Sequence, residues 1–496
     1  MASYVISVDQ STQLTKALLF DEGGKLLHSS AVAHQQYYPQ QGWVEHDAEE
    51  IYRNTIEAIR SVKAKLNDPQ ASFTLALTNQ RETVVVWDRR TGKPVCNAVV
   101  WQCLRGRDIC ESLKEQGYGP LVQKKSGLMI DPYFSGSGIK WILDNVPSAR
   151  EDAEAGHLLF GTIDCWLIWK LTSGRVHATD YTNASRTMLF NVHTLSWDDE
   201  LLSMLTVPRS MAPRVLPCDS IFGTTDCEGV FETPVEIAGV LGDSHAALAG
   251  QMCFAEGQGK VTYGTGSSVM VNIGCNAAKA PEGLVTSVGF AALGKVFYAF
   301  EGNIHCTGAT IAWLEKELKL IGSASEVEGI ATSVPDNGGV YFIPAFAGLG
   351  APWWNSEVRA RIVGMTLGTG RAHVCRAALE SIGYQVADLV GTMTDKAGIS
   401  LKELRVDGGP TKNRFLMQFQ ADLLNVPVVR SETEDASAFG AFVLNGFARG
   451  KWNSFEEAEK VWVCDAPTVP SADREPVQKA WEGWKKAVKE LVVKGE

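Results

Sequence analysis

No run of lysine and arginine occurs anywhere in this 496-residue chain, and its formal net charge is −11. That balance excludes a general attraction to nucleic acid or to an anionic membrane, while leaving room for a local basic site for phosphate. Paired cysteines are missing as well. There are 11 cysteines, an odd number, and none stands in a CxxC pair. Cys96, Cys103 and Cys110 fall seven apart, but nothing beside them completes a metal framework. A chain this long needs no covalent staples, so reduced thiols in a cytoplasmic protein are expected. No apolar run approaches the ~20 residues that cross a bilayer. The opening MASYVISVDQ has no basic segment followed by a long apolar core, so no secretory signal is expected. Four motifs are also absent: GxxxxGK[ST], HExxH, GxSxG, and a GxGxxG after the first strand. Their absence excludes a P-loop, a zinc-protease helix, a nucleophile elbow and a dinucleotide turn.

What is present is globular material. Hydrophobic residues make up 45% and charged residues 21% of the chain, and the length calls for two large domains or several small ones. Tyr4 to Val8 reads as a buried strand, Asp9 to Thr15 as a polar turn, and Lys16 to Phe20 as a second strand. Asp21 to Gly24 makes the next turn, before a third strand over Lys25 to Ser30. A shorter echo appears halfway along. Gly259 to Tyr263 enters the small-residue loop Gly264 to Ser268, and an apolar strand leaves it. Two such units suggest two related domains. The small-residue stretch Gly250 to Gly259 marks the junction, giving domains at 1–250 and 251–496.

Strands are also expected at Phe73 to Leu77, Thr83 to Trp87 and Leu404 to Val406. Helical spacing covers Ala48 to Leu66, Tyr133 to Asn145, Ala372 to Lys396, Arg414 to Leu424 and the tail from Asp473. Strands and helices mixed throughout indicate α/β domains. Three Gly/Ser/Thr loops stand at strand ends: Asp9 to Thr12, Gly264 to Ser268, and Asp407 to Asn413. Backbone N–H groups in such concave turns, joined by hydroxyls and by glycines that permit close approach, suit phosphate. One loop alone would be an ordinary turn; three, two of them pseudo-repeats, favour a nucleotide between two domains.

Further stretches then carry a resemblance: VISVDQSTQLTKALLFD, GWVEHDAEEIY, TNQRETVVVWD, DPYFSGSGIKWILDN, TDYTNASRTMLFN, LGDSHAALAGQ, TYGTGSS, AFAGLGAPWW and RVDGGPTKNRFLMQFQADLL. Together they resemble the FGGY carbohydrate kinases, nearest to the glycerol kinase-like members, from about residue 4 to the last helix. The resemblance implies two actin-like (ribonuclease H-like) domains with the active site in the cleft between them. It implies ATP and Mg²⁺ as cofactors, a small polyol or sugar as substrate, and a homo-oligomer, dimer or tetramer. Asp243 matches the catalytic aspartate, which accepts the proton of the attacking alcohol. Arg81, Glu82 and Tyr133 match the polyol-binding set, whose opposed donors and acceptors can read a diol. Trp101 matches an apolar wall of that pocket, with core packing as the alternative. Thr12, Lys16, Thr265, Gly308, Gly409 and Asn413 match positions that contact the nucleotide. Asp9 suits an outer ligand of Mg²⁺, with a turn cap as the alternative. His245 is expected to be structural.

The chain also departs from the pattern. Ser11, Gln13 and Leu14 replace family residues in the first loop, Lys16 stands for an arginine, and Ala312 stands for a glutamine on the nucleotide side. The CEGVFET segment does not resemble the Gly-rich regulatory loop of some relatives. Ser244 and Ser268 replace a glutamine and a phenylalanine that shape the family's substrate pocket. A larger, wetter pocket follows from those two swaps, and with it a four- or five-carbon polyol or ketose as the alternative substrate. An actin-fold ATPase without a sugar is the competing class. It would need no Arg81, Glu82 and Tyr133 set.

Overall fold

The computed structural model of the chain describes residues 2–68, 70–395, 398–433 and 435–493. In the first half β1 (Ser3–Gln10), β2 (Leu14–Phe20) and β3 (Leu26–Ala33) form the expected meander, followed by α1 (Ala48–Lys63), β4 (Ser72–Asn79) and β5 (Val84–Asp88). Helices α2 (Ser135–Asn145) and α3 (Ile163–Leu171), strands β6 (Ile221–Thr225) and β7 (Val235–Gly242), and helix α4 (Asp243–Gly250) also belong to that half. The second half contains β8 (Gln258–Tyr263), β9 (Ser267–Asn272), β10 (Val285–Ala292), β11 (Lys295–Ile304) and α5 (Gly308–Lys316). It continues with α6 (Arg371–Asp395), β12 (Glu403–Asp407), α7 (Arg414–Leu424), β13 (Val428–Arg430), α8 (Ala436–Ala448) and α9 (Glu475–Val493). Lys396, the expected end of one helix, lies outside the described residues.

Each half is built on a six-stranded sheet. The first runs β6-β7-β4-β1-β2-β3, the second β10-β11-β9-β8-β12-β13. In both, the hairpin strands are antiparallel and the next two strands parallel, β1-β4-β7 in one and β8-β12-β13 in the other. This shared order is that of the actin-like fold. The hairpin turns are tighter than the sequence suggests. Only Ser11–Gln13 and Gly264–Gly266 lie outside the strands, because pairing continues to Gln10–Thr15 and Tyr263–Ser267. The side chains flanking each turn are thereby held at strand precision.

Two features place the cleft. Between β4 and β5 the chain leaves the first central sheet and enters a separate one, where β5 pairs antiparallel with Leu158–Thr162. The crossing turn, Gln80–Thr83, is buried. Second, α8 reaches back from the second half onto the first sheet. Asn445 Nδ2 donates to the carbonyls of Leu75 (3.1 Å) and Ala238 (2.9 Å). Phe439 and Phe442 pack on Phe20. Glycine is required where α8 crosses α4: a Cβ on Gly440 would lie 1.8 Å from the Ala246 carbonyl, and one on Gly250 2.1 Å from that of Ala436. The two sheets thus fall on either side of residue 250, while α8 shares a core with the first. Among the described residues no helix is long and apolar enough to cross a membrane.

Candidate active site

The β4–β5 turn carries two of the expected polyol residues. Its backbone is forced: Glu82 has φ 63°, a left-handed conformation that costs a non-glycine residue free energy. Neighbours hold it there. Ser135 Oγ, at the start of α2, donates to the Glu82 carbonyl (2.7 Å), and Thr83 Oγ1 donates to Gln80 Oε1 (2.9 Å). Arg81 and Glu82 are only 6% and 3% exposed. A surface turn would leave them in water, and buried charges require partners.

The partners form an alternating chain. Glu82 Oε1 accepts from Arg186 Nε (2.5 Å), Arg186 Nη1 donates to Glu301 Oε2 (2.7 Å), and Glu301 Oε1 accepts from Arg81 Nη1 (2.6 Å). Arg81 Nε then lies 3.0 Å from Asp243 Oδ1 as an ion pair. Burial alone would raise the Glu301 carboxyl, yet Arg186 and Arg81 together hold it well below the usual carboxylate range. Burial keeps the Glu82 carboxyl raised despite Arg186 and Arg81. Three carboxylates stand against two guanidiniums, and of the three only Asp243 has a side chain appreciably exposed to the cavity.

Asp243 opens α4 directly after β7. Gly242 N–H donates to Thr182 Oγ1 (2.9 Å), and Ser244 N–H to Asp243 Oδ1 (2.6 Å). A side chain at 242 would collide with Arg81, whose Cγ lies 2.5 Å from the Cβ position. The Asp243 side chain is 35% exposed, not buried as catalysis by an enclosed carboxylate would suggest. It faces a cavity of about 490 Å³ between the halves, which it lines with Arg81, Glu82, Trp101, Tyr133 and Thr12. The Trp101 and Tyr133 rings meet edge to face, 5.6 Å apart at 74°, and both line the cavity while packing against the core beneath it.

Ser244 and Ser268 do not line this cavity. Ser268 Oγ lies 3.4 Å from Ser244 Oγ and 3.1 Å from the buried Lys260 Nζ, which also reaches Thr262 Oγ1 (3.3 Å). Their hydroxyls serve an internal polar contact between the halves. The expected widening of the pocket by these two residues is not what the structure shows. His245 behaves as expected: it is buried, with Nε2 3.2 Å from Ser287 Oγ, and burial lowers its imidazole pKa far below the usual value.

The expected nucleotide residues gather less tightly. Gly308 N–H donates to the Gly264 carbonyl (3.0 Å) and Ala309 N–H to that of Thr265 (3.0 Å), seating α5 under the second hairpin. Gly408, at φ 98°, leaves its Cβ position 2.0 Å from the Tyr263 carbonyl, so glycine alone fits. Gly409 beside it has open space around its Cβ position. Thr265, Gly308 and Gly409 thus share one end of the second sheet, while Gly266 and Ser267 line the cavity opposite Thr12. Asn413 Oδ1 caps α7 by accepting from Leu416 N–H (2.9 Å). Lys16 Nζ donates to Asp435 Oδ1 (2.6 Å), an ion pair from the first hairpin to the N-terminus of α8.

Asp9 pairs with Lys16 across the hairpin, and its Oδ1 is enclosed with no hydrogen-bond partner. Burial, Asp243 and Asp435 push its carboxyl up to about 7, against the pull of Lys16. Among the described residues no three acidic, histidine or cysteine side chains cluster as a metal cage. An orphaned carboxylate oxygen beside a second carboxylate fits Mg²⁺, which takes one or two carboxylates and keeps its remaining ligands as water and phosphate. Sequence reasoning missed Arg186 and Glu301. The latter did leave a signal: a lone acid inside the apolar strand KVFYAFEGNI is a buried charge in need of a partner.

Two actin-like sheets with a carboxylate–guanidinium chain at their interface define a two-domain kinase of small hydroxylated compounds. The chain belongs to the FGGY family of carbohydrate kinases: the family's N-terminal domain matches residues 4–250 and its C-terminal domain residues 259–449. It is 49% identical to the glycerol kinase of Bacillus cytotoxicus over 98% of this chain and 99% of that one. It is equally similar, 49%, to glycerol kinase 2 of Thermotoga maritima over 98% of each. Among solved structures, Plasmodium falciparum glycerol kinase with ADP superposes with a TM-score of 0.94 at 36% identity, covering 99% of this chain and 98% of that one. Xylulose kinase from Lactobacillus acidophilus, at 20% identity and TM-score 0.90 over 99% and 98% of the two chains, shares the fold.

Proposed function

We propose that this chain transfers the γ-phosphate of ATP to a terminal hydroxyl of glycerol. The observation that carries the reading is the meeting of Arg81, Glu82, Tyr133 and Asp243 with the hairpin residue Thr12 in one cavity. Arg81 donates to a substrate hydroxyl oxygen, Glu82 accepts a hydroxyl hydrogen, and Trp101 lies along the carbon chain. Asp243 accepts the proton of the terminal hydroxyl as its oxygen bonds to the γ-phosphorus and the bond to ADP breaks. The hairpins at Thr12 and Thr265 approach the phosphates from opposite halves, and Gly308, Gly409 and Asn413 border the nucleoside side. Asp9 would hold Mg²⁺, which when bound neutralises charge on the phosphates. The longer-substrate alternative is not favoured. Its premise was pocket space at Ser244 and Ser268, but neither lines the cavity: the Ser268 hydroxyl meets Lys260 and Ser244. The sugar-free ATPase has no use for the Arg81–Glu82–Tyr133 set.

The test is a coupled ADP-release assay with glycerol, erythritol, xylitol and xylulose. ATP turnover is expected to depend on added glycerol, with kcat/KM highest for it. Turnover indifferent to all four compounds would sink the reading.

Asp9 gives a second expectation. Its folded-state pKa of about 7 lies above the ~3.9 of an unfolded aspartate. The native state therefore binds more protons between those values, and ionising Asp9 destabilises the ligand-free fold as pH rises through that window. Asp9→Asn is expected to melt above the wild type by about 2–4 °C at pH 8. The gap should close toward pH 4, and Mg-ATP should reverse it at pH 8 by stabilising the wild type alone. Thermal melts at both pH values check this.

A further inference from the structure

We propose that Trp101 is a positioning residue for the phosphate hairpin as well as a wall of the polyol pocket, its indole N–H fixing Thr12 as a hydrogen-bond donor toward the phosphates. The inference rests on the kinase reading above. Trp101 Nε1 lies 3.0 Å from Thr12 Oγ1. An indole N–H can only donate, so the Thr12 hydroxyl is the acceptor and its own hydrogen is turned elsewhere. Both side chains line the cavity between the halves. The Thr12 main chain is pinned too: its carbonyl accepts from His34 Nε2 (2.9 Å), and the His34 ring rests edge-on against His46, 4.7 Å away.

Trp101 is also tied at its other end. Its backbone N–H donates to Thr83 Oγ1 (3.2 Å), in the turn that carries Arg81 and Glu82. One residue therefore meets the polyol turn through its backbone, Tyr133 through its ring, and the phosphate hairpin through its indole tip. A polyol seated against the ring restricts the ring, and the ring sets the direction in which Thr12 can donate. Phosphate binding is thereby made to respond to an occupied substrate pocket, which limits hydrolysis of ATP in its absence.

A double-mutant cycle on the full chain tests this, with KM for Mg-ATP and for glycerol measured separately in Trp101→Phe, Thr12→Val and the double variant. Trp101→Phe is expected to raise KM for Mg-ATP about tenfold, the scale of one lost hydrogen bond, and KM for glycerol by less than about threefold. The double variant should be no worse toward ATP than Thr12→Val, because without the hydroxyl the N–H has nothing to orient. Thr12→Ser should recover most of the loss. If the smaller phenylalanine ring disturbs folding, a benzothiophene analogue of tryptophan at position 101 keeps the ring size and lacks the N–H. Additive effects on ATP, or a loss confined to glycerol, would overturn the proposal while leaving the kinase reading intact. A wild-type protein that does not turn over ATP with glycerol would overturn that reading instead.

Discussion

Asp243→Asn is expected to lower kcat for glycerol phosphorylation by about 10³–10⁴-fold, at the upper end of what a positioned general base contributes. The amide keeps the shape and can still accept the Ser244 N–H that now reaches Oδ1. What it cannot do is take a proton from an alcohol, and the other carboxylates of the ion-pair chain are already engaged. Glu301 is closed between two guanidiniums, Glu82 is held by Arg186, and burial lowers the His245 pKa far below its usual value, which makes it a poor base. The substitution also removes the carboxylate 3.0 Å from Arg81, so a rise in KM for glycerol of a few-fold should accompany the loss of kcat. Because the buried Arg81 keeps Glu301 at 2.6 Å, the replacement strands no buried charge, and the melting temperature should move by no more than about 2 °C. Pre-steady-state measurement of ADP formation separates the chemical step from product release. A fall of less than tenfold in that step would remove Asp243 from the role of base.

The fold was legible where short-range chemistry decides it. The hairpins at residues 11–13 and 264–266, the turn after Asp407 and the helix Arg414–Leu424 all announce themselves through turn residues or apolar spacing. Helix α8 did not. Its sequence ASAFGAFVLNGFA is buried on nearly every side, so it carries no polar face from which a period can be read. Its glycine at 440 is explained only by the crossing with α4, a contact between residues nearly two hundred positions apart. The site divides in the same way. Arg81, Glu82 and Tyr133 lie in stretches with a recognisable pattern, whereas Arg186 and Glu301 become functional only because folding brings three distant segments to one spot. Ser244 and Ser268 show the converse. Their identity suggested an open pocket, but side-chain direction is set by tertiary packing: Ser268 meets Lys260, and Ser244 lies against Ser268. Lys16 was expected at the phosphates, and the structure pairs it with Asp435.

Glu301→Gln is expected to have the largest effect on stability of any single substitution at the site, about 3–5 kcal/mol, the cost of breaking a buried ion pair by removing one partner. Glu301 is 1% exposed and, among the described residues, is the one group that holds both guanidiniums, Arg81 at 2.6 Å and Arg186 at 2.7 Å. It comes from β11 in the second half, while both arginines belong to the first. The pair of contacts therefore fastens the halves together at the polyol pocket itself. With a neutral amide, two buried cations face each other across a group that can accept from one of them but presents N–H to the other. Arg81 is then free to turn fully to Asp243, and Arg186 to Glu82, which draws the polyol-reading groups out of register. KM for glycerol should rise about 10–100-fold, with a smaller change in KM for Mg-ATP. The contacts are too deep for counterions to screen, so the loss in melting temperature should be nearly the same at 50 mM and 500 mM salt, unlike that of a surface pair. Replacing Arg186 with methionine in the Glu301→Gln background should lower the stability further, because it also takes from the buried Glu82 its 2.5 Å partner. Full stability with an unchanged glycerol KM in Glu301→Gln would mean that this chain of charges holds neither the fold nor the substrate.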